Sequence, residues 1–157
     1  MSEYLLILSC SDQKVRNNGL IPAIDLYNGV NYKVIHKLKK ENKLSKNLDT
    51  VIISAKYGFL RSNDFIEYYD HLLTKERALE LKSDVINGLK EFLKDKNYAE
   101  IFVNLGKIYL LAVDGFEDFV SKETKITYAK GRIGERMAKM KEWLLNIKEN
   151  SETKHIG

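Results

Sequence analysis

The sequence predicts an α/β domain: a three-layer sandwich with a mostly parallel central sheet of about four strands, flanked by helices. Two observations predict this class. Short apolar runs that read as strands alternate four times with helical patterns along the chain. The first three runs are nearly continuous in apolar residues, which is typical of strands buried on both faces. Right-handed crossovers between such strands would place helices on both faces of the sheet.

The four predicted strands are residues 4–9, 50–54, 100–104 and 124–128. The fourth is the most polar, which indicates an edge strand or an irregular end of the sheet. The long stretch 12–31 carries the single proline, Pro22, and is expected to be a functional loop.

Apolar residues at helical spacing predict four helices, over residues 32–43, 74–94, 107–119 and 133–147. Thr74 is the predicted N-cap of the second helix, and Gly115 is expected to interrupt the third. One domain is expected over residues 1–149, followed by a polar tail over residues 150–157.

Composition limits the class of protein. The chain has 157 residues, of which 44% are hydrophobic and 31% are charged. A globular chain of this length can bury a stable core without disulfides. Its single cysteine excludes an internal disulfide and favours a cytoplasmic location. No apolar run reaches the roughly 18 residues of a membrane span, so no membrane partner is expected. The net charge of +4 is compatible with an anionic partner.

Cations follow each predicted strand, at the sheet edge where open α/β sheets bind their ligands. Gathered on one rim beside helix N-termini, they would hold a phosphate-bearing ligand. The alternative is a set of scattered surface lysines. The cations are Lys14, Lys56, Lys107, Lys130 and Arg132. The other residues that we expect to bind the ligand are Ser9, Ser11, Tyr27, Gly29, Ser54, Tyr57, Gly58, Asn104 and Gly106.

The candidate catalytic residues are Cys10, Lys14 and Asp70. Cys10 lies between hydroxyls in the first turn, where a helix N-terminus and Lys14 would lower the pKa of its thiol. Alternatively, it is a small buried residue at a strand end. Asp70 could act as a general base, whereas the neighbouring His71 is more typical of a surface loop. No oligomeric state can be predicted.

The second turn, residues 54–60, is expected to be tight, with a positive φ at Gly58. Tyr57 could stack on a nucleobase or cover the core. The cysteine and the three histidines lack the spacing of a zinc site, so neither a metal nor another cofactor is predicted.

Four motifs in order, LSCSDQK, DLYNG, ISAKYGFL and GRIGERM, resemble a family of uncharacterised bacterial, archaeal and phage proteins with CSxxK and SAKYG motifs. The segment 54–70 is also similar to a stretch of the YaaA peroxide-stress proteins, which bind DNA. The turn 10–14 resembles the CSxxK motif of archaeosine synthase, which modifies a base in tRNA. Both resemblances imply a nucleic acid or a nucleobase as ligand.

Together these observations predict an enzyme that acts on a nucleobase or an N-glycosidic bond at a cationic site beyond the strand ends. Lys14, Lys56 and Arg132 would hold phosphate, and Tyr57 would stack on the base. The alternative is a non-catalytic module that binds DNA, RNA or a nucleotide, for stress response or phage defence. A structural or protein-interaction domain is the third possibility.

Overall fold

The computed structural model describes residues 3–16 and 18–156. The strands are β1 (Glu3–Ser9), β2 (Ile21–Pro22), β3 (Leu48–Ser54), β4 (Gly58–Arg61), β5 (Phe65–Ile66), β6 (Tyr98–Asn104) and β7 (Lys125–Tyr128). The helices are α1 (Ala23–Leu26), α2 (Val30–Lys40), α3 (Lys75–Leu93), α4 (Lys107–Ala112) and α5 (Ile133–Ile156), with a 3₁₀ turn at Phe116–Phe119.

Five strands form the central sheet, in the order β4-β3-β1-β6-β7. β3, β1, β6 and β7 are parallel to one another, as predicted, and β7 is an edge strand. The expectation of about four strands missed β4, which pairs antiparallel with β3 across the turn 55–57. Gly58 begins β4 with φ of +73°, so the positive φ predicted for this glycine is confirmed.

Helices pack against alternate residues of β1. Leu6 and Leu8 lie in one core cluster with residues of α2 and α5, whereas Leu5 and Ile7 lie in another with residues of α3 and α4. Because successive side chains of a strand point to opposite faces, the two clusters lie on opposite faces of the sheet.

Helix ends differ from the predictions by a few residues. α2 begins at Val30 and ends at Lys40, earlier than predicted. Thr74 is the N-cap of α3, as predicted, and its Oγ1 accepts a hydrogen bond of 3.1 Å from the Arg77 backbone N–H. Gly115, with φ of +91°, separates α4 from the 3₁₀ turn, which confirms the predicted interruption.

The last helix is longer than the sequence pattern indicates. α5 continues to Ile156, through the residues expected to form a polar tail. Ser151 contributes to this extension, because its Oγ donates a hydrogen bond of 2.8 Å to the Ile147 carbonyl and lies 3.0 Å from Ser45 Oγ. Within residues 3–16 and 18–156, no helix has the length and apolarity that crossing a membrane requires.

Sheet topology creates a crevice between two neighbouring strands. From β1 the chain crosses to β3 on one side, whereas from β6 it crosses to β7 on the other. The connections that leave β1 and β6 therefore diverge, and a crevice opens between the carboxyl ends of these strands. Open α/β sheets bind their ligands at such a switch point.

Candidate functional site

The site cavity lies at this switch point and has a volume of about 400 Å³. Four segments line it: residues 9–13, residues 29–32, Gly106 with Tyr109, and Ile133 with Arg136. The structure thus brings together five of the predicted site residues, which are Ser9, Cys10, Ser11, Gly29 and Gly106. The cavity is large enough for a mononucleotide-sized ligand.

The first turn of α2 faces the site cavity without a side-chain cap. Gly29 is the N-cap residue, and its approach to Ser11 is close: a Cβ at position 29 would lie 2.7 Å from Ser11 Cβ. Ser11 Oγ accepts a hydrogen bond of 3.2 Å from the Gly29 N–H and donates one of 2.6 Å to the Gln13 carbonyl. The next N–H groups of α2 have no intrahelical acceptor, and such groups attract anions.

Arg136 supplies a cation to the cavity wall. Its Nη1 donates a hydrogen bond of 3.0 Å to Oδ1 of Asn104, a buried residue at the end of β6. Burial lowers the pKa of the Arg136 guanidinium from its ordinary value, but an arginine remains charged at neutral pH. Sequence reasoning missed Arg136 because it considered only the turns; its position one helical turn after Arg132 was the available signal.

Asn31 is a second residue that sequence reasoning missed. It is the second residue of α2, lines the cavity and is 8% exposed. In the part of the chain that the structure describes, its Oδ1 is a buried side-chain acceptor without a hydrogen-bond partner. No feature of the sequence distinguishes this asparagine from the chain's other asparagines.

Cys10 contacts Tyr109 across the cavity wall, with 2.9 Å between Sγ and the phenol oxygen. Both side chains are half-buried. Burial, with the nearby Cys10, raises the pKa of the Tyr109 phenol above its ordinary value, so this hydroxyl stays protonated at neutral pH and remains a hydrogen-bond donor. Tyr109 lies in the stretch 104–109 that follows the third predicted strand, but only Asn104, Gly106 and Lys107 were predicted from it as site residues.

A tyrosine cluster, formed by Tyr27, Tyr57 and Tyr69, lies beside the cavity. The hydroxyls of Tyr27 and Tyr69 are 2.6 Å apart, and the Tyr69 hydroxyl is 2.9 Å from Ser54 Oγ. Burial raises the pKa values of Tyr27 and Tyr69, and the charge of the Cys10 thiolate would raise them further. Tyr57 meets the Tyr69 ring edge-on at 5.4 Å and packs on the core, which favours the core-covering role.

Two of the five predicted cations meet at the tyrosine cluster. Lys14 Nζ lies 4.7 Å from the centre of the Tyr69 ring, and Lys56 Nζ lies 5.9 Å from it. The Ser54 hydroxyl holds the second turn in place by accepting hydrogen bonds from the backbone N–H groups of Lys56 and Tyr57. Cation–π contacts of this kind orient a lysine while its ammonium group remains accessible.

The remaining predicted residues do not join this group. Lys107, Lys130 and Arg132 are exposed and do not line the site cavity, so the five cations do not form the single expected rim. Side chains at these exposed turn and helix-start positions extend into solvent. Asp70 and His71 are exposed in residues 67–74 and do not line the cavity.

Among the described residues that line the site cavity, one is acidic. This residue is Asp12, and its side chain is exposed. Across residues 3–16 and 18–156, no group of three or more histidine, cysteine, aspartate or glutamate residues is placed to hold a metal ion.

The fold is similar to that of one solved structure, the crystal structure of AF0587, a protein of unknown function. The TM-score is 0.54 at 17% sequence identity, over 91% of this chain and 44% of that chain. The chain therefore spans less than half the length of this structural neighbour, and at this identity the similarity concerns the fold alone. No curated protein sequence matches the chain.

A family model matches residues 5–142, from β1 into α5, and this range includes every residue of the site cavity. The chain belongs to DUF6884, a family of unknown function.

Proposed function

We propose that the protein binds a nucleotide, free or within a nucleic acid, in the site cavity and acts on its base or N-glycosidic bond. The observation that carries the proposal is that the uncapped first turn of α2 and Arg136 line the same cavity, at the switch point of the sheet. A phosphate group in this cavity would accept hydrogen bonds both from the backbone N–H groups of α2 and from the half-buried Arg136 guanidinium.

The charges around the site support an anionic ligand. Arg136 lies on the cavity wall, and Lys14 and Lys56 lie over the neighbouring Tyr69 ring. The Asp12 carboxylate on the cavity wall opposes them, but solvent screens the exposed charges of Asp12 and Lys56 more strongly than the half-buried charges of Lys14 and Arg136. The proposal takes the domain to be a three-layer sandwich, an arrangement that the two core clusters support.

The enzymatic part of the proposal rests on Cys10 and Tyr109. The thiol and the phenol are 2.9 Å apart on the wall of the cavity. A phenol that stays protonated is suited to donate a hydrogen bond to a departing base, and the neighbouring thiol is a candidate nucleophile. The resemblance of the turns to the YaaA proteins and to archaeosine synthase points to the same class of ligand.

A non-catalytic binding module is the second candidate, and one observation favours it. Asp70 and His71, which the sequence suggested as a general base and its neighbour, lie outside the cavity wall. A module of this kind would use the same phosphate contacts and leave its ligand unchanged. A cytoplasmic location would suit either candidate.

Binding is tested with nucleotides and short oligonucleotides by isothermal titration calorimetry. We expect Arg136→Ala to weaken binding about tenfold to a hundredfold, because a hydrogen bond to a charged group contributes about 1.5–3 kcal/mol. Lys141→Ala is the matched control, since Lys141 is an exposed cation on the same helix. Equal affinity for both variants and the unmodified protein would refute the proposed phosphate site.

Salt dependence and mass spectrometry separate the remaining alternatives. The affinity for an oligonucleotide should fall steeply with salt, and that for a free nucleotide less steeply. An enzyme should release or change a base during incubation, and Cys10→Ala should slow this reaction. If Arg136→Ala weakens binding as expected but every ligand of the panel is recovered intact, the result favours the binding module.

A further inference from the structure

Asn31 lines the site cavity and carries a buried hydrogen-bond acceptor, Oδ1, that has no partner in residues 3–16 and 18–156. The side chain is 8% exposed, and Oδ1 has no donor among the residues that the structure describes. Native proteins pair nearly all such groups, because an unpaired buried acceptor has lost its water without gaining a replacement. Oδ1 itself has almost no accessible surface, so the side-chain amide must turn toward the cavity for the donor of a ligand to satisfy it.

The position of Asn31 limits which part of the ligand this donor belongs to. Asn31 is the second residue of α2, directly beside the uncapped N–H groups that face the cavity. An anionic group held by those N–H groups would therefore be close to Asn31. In a nucleotide, the sugar adjoins the phosphate and the base lies beyond it, so the group within reach of Asn31 is a sugar hydroxyl.

We propose that the site cavity selects a ribonucleotide, with Asn31 Oδ1 accepting a hydrogen bond from a ribose hydroxyl while the first turn of α2 and Arg136 hold the phosphate. This inference rests on the proposed nucleotide binding and adds the sugar as the feature that is recognised. The hydroxyl supplies the donor that Asn31 lacks, whereas a dideoxyribose supplies none at either position.

The role of Asn31 as a ligand contact also makes a prediction for the unliganded protein. Replacing it with alanine removes an unpaired acceptor and introduces a residue with higher helix propensity. The Asn31→Ala variant should therefore unfold at a urea concentration equal to or higher than the unmodified protein. If Asn31 instead stabilised the fold, its replacement by alanine would lower the urea concentration at which the protein unfolds.

The experiment uses calorimetric titration with the four ribonucleoside 5′-monophosphates, their 2′,3′-dideoxy counterparts and inorganic phosphate. The unmodified protein should bind the preferred ribonucleotide roughly tenfold more tightly than its dideoxy counterpart, the size expected for one buried hydrogen bond. In Asn31→Ala this ratio should approach one. Asn87→Ala is the control, because Asn87 is an exposed asparagine inside another helix, α3.

Each contrary result has a separate meaning. Equal affinity for the ribose and dideoxy forms in the unmodified protein overturns the inference, and it leaves the proposed function intact if Arg136→Ala weakens both. A ratio that persists in Asn31→Ala, or a lowered urea midpoint for that variant, also overturns the assignment of Asn31. Failure of every nucleotide and of phosphate to bind overturns the proposed function together with this inference. The ribose-to-dideoxy ratio is measured on the unmodified protein, so it stands even if a variant fails to fold.

Discussion

Gly29 allows two segments of the site to touch, and its replacement by alanine tests how the cavity is built. Its backbone angles, φ of −72° and ψ of 177°, suit any residue, so Gly29→Ala introduces no backbone strain. The added Cβ would instead lie 2.7 Å from Cβ and 3.2 Å from Oγ of Ser11. Ordinary contacts begin near 3.4 Å, so the turn and the start of α2 must separate by about 0.7 Å.

The energetic cost follows from these contacts. Overpacking of this kind costs about 1–3 kcal/mol, and displacement of Ser11 weakens its 3.2 Å hydrogen bond with the Gly29 N–H, which contributes about 0.5–1.5 kcal/mol. The reduced entropy of the unfolded chain offsets about 0.4–1 kcal/mol. We therefore expect Gly29→Ala to destabilise the fold by about 1–3 kcal/mol and to weaken ligand binding, because the α2 N–H groups move relative to Arg136.

A double-mutant cycle isolates this contact. Ser11→Gly removes the atoms that the new methyl group would meet, so in that background Gly29→Ala should be close to neutral. The interaction free energy should be about 1–3 kcal/mol. Urea unfolding followed by the fluorescence of the single tryptophan, Trp143, measures all four proteins. Trp143 is largely buried, so its emission should report global unfolding.

Gly134→Ala is the matched control for a glycine-to-alanine change. Gly134 lies in the first turn of α5, and no heavy atom lies within 4 Å of an added Cβ. Its replacement should leave stability unchanged or raise it by up to about 1 kcal/mol. Additive effects of Gly29→Ala and Ser11→Gly, within about 0.5 kcal/mol, would show that the close approach does not govern the site.

Two further predictions concern the core. Gly88→Ala should lower the free energy of unfolding by about 1–3 kcal/mol despite the better helix propensity, because the new Cβ would lie 2.6 Å from the Phe59 ring; a higher urea midpoint would contradict this. Burial raises the pKa of Tyr32, whose hydroxyl donates to the Ser9 carbonyl, so above pH 10 the folded state keeps a proton that the unfolded state releases. The free energy of unfolding should therefore fall as the pH rises above 10, and Tyr32→Phe should make this decline shallower by about 1.4 kcal/mol per pH unit. If the free energies of unfolding of the two proteins fall in parallel with pH, the mechanism is excluded.

Local signals in the sequence were sufficient for most of the fold. The apolar runs that became β1, β3 and β6 are buried along most of their length. The spacing of apolar residues within one helix or strand indicates its secondary structure without knowledge of the rest of the fold. β4 was missed because its four residues, GFLR, are too short to show a period. Its strand conformation depends on pairing with β3.

Site residues were predicted less completely, for a related reason. Turn residues such as Cys10, Ser11 and Gly29 could be placed at strand ends and a helix start, and they do line the cavity. Arg136 and Asn31 lie inside or at the start of helices, and only the packing of α5 and α2 directs them into the same space.

By itself, the sequence determined the class of fold, the parallel core strands, the N-cap at Thr74 and the position of Cys10 and Ser11 directly after a strand. These features depend on the period and the turn chemistry of neighbouring residues. Tertiary structure alone decided the strand order, the meeting of Cys10 with Tyr109 across 99 positions of the chain, and the separation of the cations into different surroundings. Long-range packing determines which distant side chains share a cavity, and no local pattern encodes that choice.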